Sequence, residues 1–144
     1  MSLESLFSGN SFKSAVQTCS AQNGWTVAEI SDKMAKLRFN MPSGRNQILY
    51  IVKFDTTMEF SVPSGIVLDS EEEFPGVLST KLLRRNAERK IGFWCIEHVS
   101  GKYAYSCMHN EDIQKIDAGY FARIVTALIS ECDHFEGIML QMLN

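Results

Sequence analysis

The last third of the sequence constrains the fold most, because a β-hairpin pattern leads there into a long amphipathic helical pattern. From about residue 117 to 143, apolar residues recur three or four positions apart, which places them on one stripe of a helix. The members of this stripe are Phe121, Ile124, Val125, Leu128, Cys132, Phe135, Met139 and Met142. Such a helix is roughly 37 Å long and can lie across a small sheet. The preceding residues are therefore expected to form that sheet.

The hairpin pattern has its turn at Ser100 and Gly101. A register that pairs Val99 with Lys102 predicts two alternating faces. The bulkier face is assigned to the core and contains Trp94, Ile96, His98, Tyr103, Tyr105 and Cys107. The opposite face contains Phe93, Cys95, Glu97, Ala104, Ser106 and Met108.

Upstream, a first helix is predicted to end near Asn23, with Gly24 after it, and strand-like alternation follows. Residues 47–54 are apolar on both faces, which predicts a central strand covered on both sides. Pro75 suits the first turn of a second helix. The predicted order is α-β-β-β-β-α-β-β-α. This order predicts a single α+β domain over residues 1–144. The domain is expected to have an antiparallel sheet of about five to six strands, with helices on one face.

The composition excludes several classes of function. The chain has 144 residues, and its formal net charge of −3 gives no basic field for a nucleic acid. No apolar run reaches the ~18 residues that a membrane span needs, and no signal peptide is expected. The four cysteines are widely spaced, which suits reduced core thiols. We expect a cytoplasmic protein without membrane insertion.

Four clusters of residues are candidates for chemistry, and for each the simpler structural interpretation is favoured. A metal site is conceivable from Cys95, Cys107, His98 and His109, and a nucleophile from a cysteine–histidine pair. Core packing of the cysteines is the preferred interpretation in both cases. The acids and histidine of residues 131–136, and the basic residues between 81 and 90, are interpreted as solvated helix faces. We therefore expect no enzyme, no cofactor and no metal.

A protein-binding surface is the better-supported hypothesis. Leu49, Ile51, Phe93 and Met108 are predicted to form an apolar patch, together with Cys95, on the sheet face away from the helices. The tail from Ile138 onward is also more apolar than a one-faced helix needs, and methionine suits adaptable surfaces. Burial of that tail against a partner and an ordinary contact with the first helix are equally supported alternatives.

The order of elements resembles the type III secretion chaperone-like fold, and most of all its YbjN-type branch, described as bacterial sensory-transduction regulators. The resemblance is strongest over residues 82–94 (LLRRNAERKIGFW), continues through the Gly101 turn, and includes residues 117–125 (DAGYFARIV). It implies a small, acidic, cytosolic and often dimeric protein that binds other proteins and has no active site. No family binding motif matches residue by residue, so no binding residues are transferred.

The leading hypothesis is a non-enzymatic, chaperone-like or adaptor-like protein-binding module that forms a homodimer. An alternative is a regulatory domain that senses a small ligand in a pocket lined by Trp94, Tyr103 and Tyr105. A third hypothesis, a cysteine-dependent enzyme, would require a reactive Cys95 or Cys107.

Overall fold

The computed structural model describes residues 9–143, and the side chains of residues 11–141. The helices are α1 (Gly9–Gln22), α2 (Gly76–Asn86) and α3 (Ala118–Leu143). The strands are β1 (Val27–Ile30), β2 (Met34–Asn40), β3 (Asn46–Phe54), β4 (Thr57–Leu68), β5 (Phe93–Val99) and β6 (Lys102–Asp112). Short 3₁₀ turns precede α2 and α3 at Glu71–Glu73 and Ile113–Lys115. The predicted order of elements and the α+β class are confirmed.

The six strands form one antiparallel sheet in the order β1-β2-β3-β4-β6-β5. The β5–β6 hairpin joins the four-stranded meander through β6, which pairs with β4. Strand β5 therefore lies at one edge of the sheet and β1 at the other.

The core lies between the sheet and α3. Phe121, Ile124, Val125 and Leu128 are completely buried, and the Phe121 ring packs edge-on against Phe60 of β4 at 5.7 Å. Each such buried side chain stabilises the fold by about 1.5–3 kcal/mol. Asp117 caps α3 as predicted, because its carboxylate accepts a hydrogen bond from the Tyr120 N–H at 2.7 Å. The predicted stripe is confirmed except at Met142, whose side chain lies outside the described part.

The predicted register of the hairpin is also confirmed, with Val99 opposite Lys102. Ser100 and Gly101 both have positive φ (52° and 79°), as a two-residue turn between twisted strands requires. Trp94 and Cys107 form a pair on the helix-covered face, and Cys95 lies opposite Ser106 on the other face.

The predicted orientation of β3 is wrong. Leu49 and Ile51 are completely buried beneath the helices, so they do not belong to the sheet's open face. Their cross-strand partners explain the orientation, because Leu49 lies opposite Leu37 and Ile51 opposite Phe60, both core residues. The side chains that β3 presents to the open face are Ile48, Tyr50, Val52 and Phe54. Val52 and Phe54 are exposed, so the strand is not covered on both sides along its whole length.

Gly92, which leads into β5, provides a test of this packing. Its φ is +88°, and a Cβ built on it would lie 2.6 Å from Cδ2 of Leu128 in α3. Gly101 also has positive φ, but a Cβ there would meet nothing within 4 Å. We expect Gly101→Ala to lower the free energy of unfolding by about 1–2 kcal/mol, the cost of a left-handed alanine. Gly92→Ala should cost a further ~1–3 kcal/mol from overpacking. Urea denaturation measures both, and equal losses would contradict the close contact with α3.

Candidate functional site

A groove of about 470 Å³ runs between α2 and α3. Leu82, Trp94 and Phe135 form its floor, and each is at least nine-tenths buried. Its walls are mainly aliphatic and include Val77, Leu78, Ile138 and Met139. Val77 is 73% exposed, although it lies on the inner wall of a helix pair. The groove therefore presents apolar surface to solvent in a concave shape.

The floor of the groove is fixed by aromatic packing. The Phe135 ring lies 4.7 Å from the Trp94 ring and 5.9 Å from the Tyr105 ring, centroid to centroid. The Tyr105 hydroxyl shares a 2.6 Å hydrogen bond with the Ser79 hydroxyl of α2. Aromatic pairs at these distances contribute interaction free energy in addition to that from buried apolar area. These contacts therefore hold the floor side chains in place.

A buried carboxylate lies at one side of this floor. Glu131 of α3 is 7% exposed and accepts two hydrogen bonds from Arg85, at 3.0 and 3.1 Å. The same carboxylate is 3.0 Å from Nη1 of Arg89 and accepts a 3.1 Å hydrogen bond from the Trp94 indole N–H. One side chain thus joins α3 to α2, to the segment after α2 and to β5.

The electrostatics of Glu131 follow from these contacts. Burial raises the pKa of the Glu131 carboxyl, but the hydrogen bonds from Arg85 and Trp94 and the charges of Arg89 and Arg85 outweigh it, so the pKa is below its ordinary value. Glu131 likewise raises the pKa of Arg85. The site therefore holds an ionised carboxylate between two cations.

Within residues 9–143, strand β5 lies at the sheet edge beside the groove, and part of this edge is unpaired. The Asn86 side chain donates to the Trp94 carbonyl at 3.1 Å and accepts from the Trp94 N–H at 2.7 Å, so it occupies the outward main-chain groups of Trp94. Alternate residues of an antiparallel strand direct these groups to the same side. The outward groups of Ile96 and His98 consequently face away from β6. In contrast, β1 at the other edge is short and bulged, which protects it from pairing.

The predicted binding residues are divided between the two faces. Leu49 and Ile51 belong to the core, whereas Phe93 and Met108 lie opposite each other on the open face, both half-buried. Near them Glu97 of β5 reaches across β6 and accepts a hydrogen bond from Ser61 of β4 at 2.5 Å. This polar contact interrupts the predicted apolar patch. A binding role for Phe93 and Met108 stays a prediction.

The acidic segment at residues 131–136 is not a simple solvated face. Asp133 accepts hydrogen bonds from Ser43, Arg45 and Gln47, which tie α3 to the start of β3. Glu131 is buried between Arg85 and Arg89. In this segment only His134, which is exposed, fits the interpretation as a solvated helix face. The basic segment at residues 81–90 is not a simple solvated face either. Arg89 is largely buried, and besides its ion pair with Glu131 it donates hydrogen bonds to the carbonyls of Ile91 and Ala127.

The cysteines are poorly suited to nucleophilic chemistry. Burial, with a smaller contribution from Glu97, raises the pKa of Cys95 to about 11, and burial raises that of Cys107 to about 12. Burial also raises the pKa values of Cys19 and Cys132. Thiols rather than reactive thiolates are therefore present at neutral pH. Within residues 9–143 no group of three histidine, cysteine or acidic side chains is placed to hold a metal ion.

Of the three aromatic residues predicted to line a ligand pocket, Trp94 lines the groove, and Tyr103 and Tyr105 do not. Tyr105 is buried behind Phe135. Tyr103 stacks on His98 near the hairpin turn, with ring centroids 4.8 Å apart.

Sequence and structure comparisons differ in what they find. No protein-family model and no curated protein matches the chain. A solved chain from the structure of the HopA1–SchA chaperone–effector complex superposes with a TM-score of 0.62 at 9% identity. The match covers 93% of this chain and 96% of that chain. The protein therefore has the type III secretion chaperone-like fold, while the YbjN-type resemblance stays a prediction. Among the described helices, none is long and apolar enough to cross a membrane.

The buried carboxylate provides a second test. We expect Glu131→Gln to lower the free energy of unfolding by about 3 kcal/mol, the lower end for a broken buried pair, because Arg85 is half exposed. Glu88→Gln removes an exposed partner of the same Arg85 and should change stability by less than about 1 kcal/mol. Chemical denaturation of both variants measures the difference.

The pH dependence supplies a control for this test. Because the folded-state pKa of Glu131 is lowered, its contribution is complete above the ordinary value of 4.5 and is lost as pH falls through the lowered pKa. The stability difference between the native chain and Glu131→Gln should therefore shrink in acid. A difference that stays constant down to pH ~2 would show that lost packing, not lost charge, causes it.

Proposed function

We propose that this protein is a non-enzymatic protein-binding module, chaperone-like or adaptor-like, that holds an apolar segment of another protein. The observation that carries the proposal is the groove between α2 and α3, with its rigid aromatic floor and exposed aliphatic walls. Contiguous exposed apolar surface is typical of interaction sites. The fold supports the proposal, because a chaperone–effector complex contains a chain with the same fold.

The groove offers binding energy without a conformational change. Its floor is packed in advance by Trp94, Phe135 and Tyr105, so a partner's side chains displace water and need not reorganise the pocket. Each apolar side chain that a partner buries there contributes about 1.5–3 kcal/mol before ordering costs. The ligand-sensing alternative has less support, because only Trp94 of its three predicted residues lines the groove.

The proposal includes a homodimer that forms through the β5 edge. A second copy of β5 could pair antiparallel with the outward groups of Ile96 and His98, while the exposed side chains of Ile96 and Val99 flank the contact. It also includes a cytoplasmic location, which the four free cysteines support because reduced thiols persist there.

A matched pair of double variants tests the role of the groove. Val77→Gln with Ile138→Gln removes apolar surface from both walls. Leu83→Gln with Leu140→Gln removes surface from the same two helices outside the groove. The exposures are comparable, at 73% and 43% for the first pair and 67% and 49% for the second. We expect the first double variant to lose a stoichiometric partner captured from native cells, and the second to retain it. The measurement is affinity capture with quantitative mass spectrometry.

Two results would contradict the proposal. Equal capture by both double variants would show that the groove is not the binding surface. Absence of any stoichiometric partner of the native chain would argue against a binding module. Circular dichroism of each variant shows whether the fold is retained, because glutamine is a good helix former at these exposed positions.

A proline at the β5 edge tests the homodimer. The Ile96 N–H points away from β6, so Ile96→Pro removes no hydrogen bond of the sheet but blocks pairing along the edge. We expect the native chain to have the mass of a dimer by light scattering and Ile96→Pro to have that of a folded monomer. A native chain that is monomeric at all concentrations, or a dimer that survives the proline, would contradict this interface.

A further inference from the structure

We propose that the groove between α2 and α3 receives an amphipathic α-helix of a partner protein, and that this helix carries acidic residues beside its apolar row. This inference rests on the proposed protein-binding function and specifies the conformation and charge of the bound segment.

The helical conformation follows from the backbone chemistry of the groove. Both walls are helices, whose main-chain N–H and C=O groups are bonded within their own turns. An extended segment in the groove would find no main-chain partners there, and unpaired peptide groups in an apolar site are costly. A helix satisfies its own backbone and presents only side chains. An extended segment fits the β5 edge instead, where the outward groups of Ile96 and His98 lie.

The dimensions suit a short helix. Helix α2 has 11 residues and is therefore roughly 16 Å long, which corresponds to about three helical turns. A partner helix of that length presents apolar residues at i, i+4 and i+7 on one side. These side chains would pack between Val77 and Ile138 and above the floor at Trp94 and Phe135.

The charges around the groove select the sign of the partner. Three basic residues lie near the groove: Lys81 and Arg85 line it, and Arg89 is paired with Glu131. Two carboxylates lie near them, Glu131 in the lining and Glu88 outside it. Both carboxylates are already paired with Arg85, whereas Lys81, an exposed residue, has no ion pair within the described residues. Of the five basic residues in 81–90, Lys81 and Arg85 line the groove, and Arg85 is already paired with Glu131. An acidic partner helix complements the remaining positive charge of Lys81.

The experiment uses blocked, fluorescein-labelled peptides of about 15 residues with leucines at i, i+4 and i+7. One peptide has glutamates beside the leucine row, a second has lysines at the same positions, and a third has the glutamates with the leucines scrambled.

We expect fluorescence anisotropy to show that the acidic amphipathic peptide binds about threefold to tenfold more tightly than the basic one. Lys81→Glu should remove or reverse this preference, and added salt should reduce it. The Val77→Gln, Ile138→Gln double variant should lose binding of both amphipathic peptides, and Leu83→Gln with Leu140→Gln should not.

Each contrary outcome has a separate meaning. Equal affinity for acidic and basic peptides would overturn the charge preference, and binding of the scrambled peptide would overturn the helical row. If no peptide binds while native-cell capture depends on Val77 and Ile138, the helix inference fails and the protein-binding function stands. If native-cell capture also fails, the proposed function fails with it. If the groove double variant converts a native dimer to monomers, a second copy fills the groove and the inference is overturned.

Discussion

The position of α2 depends on the buried carboxylate of Glu131. Leu82 is the one residue of that helix that is buried, and it is still 8% exposed, so apolar burial alone holds the helix weakly. Polar contacts supply the remainder: Arg85 with Glu131, Ser79 with Tyr105, and Asn86 with the backbone of Trp94. The charged hydrogen bonds between Arg85 and Glu131 contribute about 1.5–3 kcal/mol each, comparable to a buried leucine, and the neutral ones about 0.5–1.5 kcal/mol each. A helix attached by such contacts can stand away from α3, and the space that remains between them is the groove.

The same helix also determines how much of the β5 edge is available. Asn86 occupies the outward main-chain groups of Trp94 and therefore ends the free edge at Ile96. The groove and the edge are thus two consequences of one placement, although the proposed partners of the two surfaces differ. In the two proposals, the groove would offer side-chain contacts to a helix, and the edge would offer main-chain hydrogen bonds to an extended strand. A rearrangement of α2 would alter both surfaces together.

The sequence alone predicted the order of elements, the α3 stripe and the hairpin register, because these depend on local periodicity and turn chemistry. It did not predict the orientation of β3, where both faces are apolar and only the cross-strand neighbours Leu37 and Phe60 decide. It also missed the buried carboxylate, although a signal exists: Glu131 lies three residues after Leu128 and four before Phe135, within the apolar stripe. An acid at such a position needs a cationic partner. The partners, Arg85 and Arg89, belong to a helix end and a loop more than 40 residues earlier, so local patterns cannot identify them.

Comparison of the two exposed apolar surfaces favours the groove over the open sheet face for the proposed binding. The open face is a flat array in which the contact between Glu97 and Ser61 and the ion pair between Lys36 and Glu29 interrupt the apolar residues. A partner there would have to displace or desolvate these groups, which costs free energy unless they find new partners. In the groove the principal charged group, Glu131, is already paired and lies at the side, while the floor is aromatic. A partner in the groove would therefore bury apolar area without leaving Glu131 unpaired, and Lys81 at the groove would favour an acidic segment.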